Sequence, residues 1–210
     1  MQRLRSFASG SAVAVLLLWT AGTAAAESPI GEVLGVRGAV FLAAGAGRAA
    51  LIPRQPVHRA DTIIAQDGKA EILLNDGSII SVGSNSRLQL SQYEGTANGR
   101  LMARLRLLDG VLRLFVNRAT GGGVFEIETE TAVAAVRGTD WLIEAVPGRT
   151  GVAIIKGTIA VSGVGAQRQA VVLLQRPGDG VDVRRGEPPG PVHPWSHDRF
   201  AATLARATFH

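Results

Sequence analysis

The chain contains no cysteine. Disulfides, thiolate metal sites, cysteine nucleophiles and a lipid anchor on an N-terminal cysteine are therefore excluded. Aromatic residues make up only 5%, charged residues only 19%, and Lys69 and Lys156 are the only lysines among 22 basic residues. Arginine stays charged to very high pH, so its dominance lifts the pI of about 10.9 without making a basic face. No run of Lys or Arg is present and no basic patch is interleaved with aromatics, so nucleic acid is not expected as a partner. Beyond the first residues, no apolar stretch approaches the roughly 20 residues that a spanning helix needs.

What is present suits a packed fold. Of 210 residues, 46% are hydrophobic, enough for one buried core, and 26 are glycine, as many tight turns between short strands would use. Residues 1–26 read as a secretory signal peptide: Arg3 and Arg5, an apolar stretch from Ala12 to Trp19, then Ala24-Ala25-Ala26 as the cleavage site. Cleavage after Ala26 removes two of the 22 basic residues, leaving 20 against 17 acidic ones and a net charge of +3 in place of +5. The expected location is periplasmic or secreted, in a Gram-negative envelope.

From Ile30 to about Val183 the apolar period is two, the signature of strands with one buried face. Ala70, Ile72 and Leu74 alternate with Lys69, Glu71 and Asn75 before Asp76-Gly77, a strong hairpin signal. Leu101 to Leu107 and Leu112 to Val116 flank Asp109-Gly110 in the same way, and Lys156-Gly157 divides two further β-rich arms. Phe125, Ile127 and Thr129 alternate with Glu126, Glu128 and Glu130. Pro177-Gly178-Asp179-Gly180 reads as a loop. No helical segment separates these strands. The expected fold is all-β, short antiparallel hairpins forming a sandwich, a roll or a short solenoid. After Arg185 the Pro-rich stretch 187–191 reads as a linker. A short helix is predicted beyond it, with Ser196 as N-cap, Asp198 in its first turn and Phe200 and Leu204 on one face. It would cap the sheet or serve as a partner-binding tail.

The stretch from Phe125 to Trp141 (FEIETETAVAAVRGTDW) resembles the signature of the FecR domain family. Phe125, Thr129, Val136, Arg137, Gly138 and Thr139 match that pattern position by position, and Trp141 stands where the family more often has Phe. Upstream, Gly31–Val40, Asp61-Thr62-Ile63 and Ala70–Ser78 are similar to further family segments, and Leu108–Leu112 and Ile155–Ile159 resemble its two Gly-centred hairpins. The resemblance spans about residues 30–185. It divides the chain into the signal peptide, a FecR-like β domain over 27–185 and a Pro-rich linker with C-terminal tail over 186–210. It implies a signalling role, as in relays of iron-siderophore status from an outer-membrane receptor to a cytoplasmic sigma factor. Members of that kind carry a cytoplasmic segment and a transmembrane helix before the domain. Neither is expected here, so the resemblance implies a stand-alone periplasmic interaction domain.

In the signature, Gly138 allows a tight bend, Arg137 has a planar fork for carbonyls or a carboxylate, and Thr139 suits a strand start. Arg137, Thr139 and Asp140 are the candidate recognition surface, while Phe125, Thr129, Gly138 and Trp141 are read as structural. No catalytic constellation is visible, and no cofactor or metal is expected. His193, His197 and Asp198 are a weak metal set, because Pro194 breaks the helical spacing of the two histidines. Glu126, Glu128 and Glu130 on one strand face could bind a cation, or simply form the wet face. The expected function is a non-catalytic protein-interaction module whose partner is another envelope protein. The alternative is an envelope-glycan binder, for which Trp141, Trp195 and Tyr93 would be the aromatic supply.

Overall fold

The computed structural model describes residues 27–95, 101–117 and 123–209. The expected signal peptide lies outside the described residues. Seventeen strands are joined into one hydrogen-bonded sheet that folds over into two layers. In chain order they are β1 Gly31–Arg37, β2 Val40–Ala44, β3 Gly47–Ala50, β4 Pro56–Val57, β5 Thr62–Ala65, β6 Lys69–Leu74, β7 Ile79–Val82, β8 Ser86–Gly95 and β9 Leu101–Phe115. There follow β10 Val124–Glu128, β11 Ala132–Val136, β12 Asp140–Val146, β13 Arg149–Lys156, β14 Ile159–Gly163, β15 Val171–Leu174, β16 Asp179–Arg184 and β17 His193–Pro194. A helix, α1, runs over His197–Ala207.

The first layer runs β4-β1-β6-β7-β9-β12-β13-β16-β17. The second runs β3-β2-β5-β8-β9-β10-β11-β14-β15. Every pairing is antiparallel except β9 with β10. The inward residues of both layers, among them Ile63, Ile72, Leu105, Leu114, Ile127 and Trp141, form one core cluster. The all-β expectation therefore holds, and of the sandwich, roll and solenoid left open these two layers over one core make a sandwich, with the parallel β9–β10 pair departing from the expected antiparallel hairpins.

β9 is the shared strand, and here the structure corrects a predicted hairpin. Asp109-Gly110 does not turn the chain back; β9 continues through it and changes layers. Its first part pairs with β8 and β10, its last part with β7 and β12. Leu105 and Leu107 point inward, then Leu112 and Leu114, and the slip between the two pairs is taken up by a bulge opposite Arg87 and Leu88. Lys156-Gly157 is likewise a corner between layers, because β13 pairs with β12 and β16 while β14 pairs with β11 and β15. Asp76-Gly77 is a true hairpin turn between β6 and β7, with Gly77 at φ +81°.

The predicted helix forms and caps the first layer. Ser196 Oγ accepts from the Arg199 N–H at 3.3 Å, and Phe200 and Leu204 pack with Val111, Leu142 and Ala207 on the layer's outer face. Gly151 and Gly180 make room for the Trp195 ring, and Gly35 for Phe209. A polar clamp holds the seat. Arg199 donates to both Glu144 and Asp182 and stacks 3.8 Å over the Trp195 ring. Thr203 Oγ1 donates to Glu144 at 3.1 Å. Lys69 Nζ donates to the Ala205 and Thr208 carbonyls at 2.6 and 2.9 Å, at the helix end whose carbonyls favour a cation.

Candidate recognition surface

The signature residues sit at one end of the sandwich. Arg137-Gly138-Thr139 is the corner that carries the chain from β11 in the second layer to β12 in the first. Gly138 has φ +67°, which an L side chain resists. Its carbonyl faces Gly157 of the β13–β14 corner, where a Cβ would stand 2.9 Å from that oxygen. Thr139 Oγ1 donates across the two corners to the Thr158 carbonyl at 3.1 Å. The Thr139 carbonyl accepts from Val116 N–H at 2.8 Å, tying in the end of β9. Asn117, next along, donates its N–H to Ser78 Oγ and its side-chain amide to the Asp76 carbonyl. Asp76 N–H in turn donates to the Tyr93 hydroxyl at 2.9 Å. Burial pushes the Tyr93 phenol well above its ordinary range, and the nearby Asp76 charge adds to this. The segments from Asp76, Val116, Arg137 and Lys156 onward, far apart in sequence, thus interlock at one joint.

The three candidate recognition residues separate here. Arg137 is exposed. Thr139 is only 2% exposed, so it holds the corner and offers no surface to a partner, which corrects its assignment to that surface. Asp140 is gripped by Arg113 through two hydrogen bonds of 3.0 and 2.9 Å. These bonds, more than any other influence, hold the Arg113 guanidinium above its usual value. Beside this pair stand two residues that the sequence did not mark as recognition candidates. Phe115 is 53% exposed and lies directly opposite Asp140 in the register, and Lys156 is exposed at the end of β13. With the Gly138 and Gly157 corners they line a cleft of about 440 Å³. Phe115 had a sequence signal: it is an aromatic at an outward position, following Arg113.

Three of the residues read as structural lie in the interior. Phe125 and Trp141 are buried, the latter completely, and the Trp141 indole N–H has no partner among the described residues. Thr129 is buried and belongs to a cluster. Its hydroxyl lies 2.7 Å from Thr150 Oγ1, and Thr131 Oγ1 lies 2.7 Å from Thr150 Oγ1 and 3.0 Å from the Val183 carbonyl oxygen. The cluster stitches the β10–β11 turn of one layer to β13 and β16 of the other.

The remaining candidates have bland surroundings. Glu126 pairs with Arg104 across the parallel β9–β10 register, Glu128 with Arg106, and Glu130 with Arg185, so arginines occupy the acidic row. His193 Nδ1 faces the Pro191 carbonyl, His197 is exposed, and among the described residues no three His, Cys, Asp or Glu cluster to hold a metal. Trp195 is 6% exposed under Arg199, so neither it nor Trp141 offers a stacking face to a glycan.

Residues 61–160 match the family described as FecR protein. This stretch is a FecR domain. It begins at β5 and ends within β14, so the FecR match takes in the whole joint but leaves out β1 to β4 and the α1 cap. No curated protein matches the chain. Two crystal structures of a candidate anti-sigma factor from Parabacteroides distasonis ATCC 8503 are similar, each with a TM-score of 0.53 and 17% identity. Each likeness covers 67% of this chain and 62% of the other, so the chain spans less than two thirds of their length, and what it shares with them is the fold.

Proposed function

We propose that this chain is a non-catalytic regulatory module of the bacterial envelope, acting in the periplasm or outside the cell by binding another envelope protein at the corner of its FecR domain. The carrying observation is the exposed pair Phe115 and Lys156, which line one cleft on a joint that the buried Thr139 and the paired Asp140 hold together. Exposed aromatics such as Phe115 are enriched where proteins meet partners. The FecR match and the fold shared with a candidate anti-sigma factor support a role in signalling, with protein rather than nucleic acid or glycan as partner.

The test is in-cell cross-linking of the tagged, exported chain in a Gram-negative host, with recovered partners identified by mass spectrometry. The proposal expects one envelope receptor or signalling protein, lost when Phe115→Ser and Lys156→Glu are introduced together. Recovery of glycan alone, or of the same proteins with both variants, contradicts it.

A further inference from the structure

Two open layers end in four edge strands, and each edge shows backbone groups that another strand can pair with. Three of the four are blunted. β4 and β17 are two residues long and each contains proline, and β3 carries Arg48. β15 has neither device: it is Val171-Val172-Leu173-Leu174, without charge or proline. It pairs with β14 on one side, and among the described residues no strand pairs with the other. Val171 and Leu173 are 54% and 53% exposed, while Val172 and Leu174 pack on the core. The outer face beside them is low, with Ala160 opposite Leu173.

We propose that β15 is a strand-addition site for an extended apolar segment of another protein that carries acidic residues at its ends. The backbone ladder supplies affinity, and alternate side chains of the added strand lie beside Val171 and Leu173. Charge sets the ends. Residues 165–176 contain Arg168 and Arg176 and no acid. Their side chains remain 52% and 85% exposed although Glu126 and Asp179 stand 3.8 and 3.3 Å away. The same charges disfavour a second copy, since antiparallel pairing of two β15 strands brings Arg168 of each near Arg176 of the other, and like charges across a ladder are destabilising. The β15 edge shares no residue with the cleft of Phe115 and Lys156, and its failure leaves the reading of that cleft intact.

The test titrates the exported chain with the acetylated peptide DDVTVTVDD and with its lysine-ended counterpart KKVTVTVKK, following amide exchange at residues 171–174 by NMR. The acidic peptide is expected to slow exchange of alternate β15 amides at least tenfold and to bind at least tenfold more tightly than the basic one. Leu173→Lys, at an exposed position, removes the binding while leaving the melting temperature unchanged, and Arg168→Glu with Arg176→Glu reverses the preference. Absence of protection with both peptides, or equal affinity for the two, overturns the proposal. Protection that appears without peptide and grows with protein concentration overturns it in favour of self-association.

Discussion

Gly138 and Gly157 lie back to back, the carbonyl of one where the side chain of the other would be, at 2.9 Å from the position of its Cβ. Each has a positive φ, +67° and +108°. Gly138→Ala is expected to cost about 1–2 kcal/mol, the penalty of a left-handed L residue. Gly157→Ala adds a backbone collision to that penalty and is expected to cost more. Urea denaturation of both variants measures the order; equal, negligible effects would show that the two corners do not depend on each other.

Arg199 is the keystone of the C-terminal cap. It is 24% exposed and holds Glu144, 12% exposed, on the outer face of β12. Removing one partner of such a pair leaves a poorly solvated charge, typically at 3–5 kcal/mol. Arg149, 3.8 Å from Glu144, and Thr203 soften the loss, so Arg199→Ala is expected near the lower end, about 3 kcal/mol. Amide exchange across 197–207 is expected to accelerate most, since the helix loses its clamp while the core keeps its packing.

The same clamp carries an acid sensitivity. Burial disfavours the charged Asp182 carboxylate, but hydrogen bonds from Arg199 and its charge outweigh burial and hold the pKa below the ordinary value. A depressed carboxylate contributes stability that is fully present above its unfolded pKa, about 3.9, and is lost as pH falls through the folded value. The cap should therefore be firm at neutral pH and loosen below about pH 4. Tryptophan fluorescence, which includes Trp195 under Arg199, follows the transition. Asp182→Asn should weaken the cap at pH 7 and flatten this acid limb; an unchanged limb would place the transition elsewhere.

Trp141 fills the core but leaves its indole N–H without a partner among the described residues. Trp141→Phe removes volume together with an unsatisfied donor, so its cost is expected within about 1.5 kcal/mol. Trp141→Ala leaves a cavity and should cost about 3–5 kcal/mol. Thermal denaturation of the two variants separates the packing role from any role of the N–H.

Local pattern carried much of the fold into the sequence. Alternation and Asp76-Gly77 specify the β6–β7 hairpin, and Ser196 with Phe200 and Leu204 specify the helix and its buried face. Asp109-Gly110 misleads because Leu105, Leu107, Leu112 and Leu114 fall on one face in a hairpin and equally in a strand that bulges between layers. Only the pairing of β9 with four other strands decides, and that pairing is long-range. Arg199 carries no signal in the sequence because its partners Glu144 and Asp182 lie 55 and 17 positions away. At the candidate site the signature motif was visible, but its division into buried Thr139, paired Asp140 and exposed Arg137 depends on which strands meet at the corner.

The central claim is that the FecR-domain corner is the surface that meets a partner. Photo-cross-linking residues placed singly at Phe115, Lys156 and the control position Ile52, which is 59% exposed and outside this corner, test it in the envelope of living cells. The account predicts one discrete adduct with the same envelope protein from positions 115 and 156 and none from 52. Adducts of equal yield from all three positions, or from 52 alone, would contradict it.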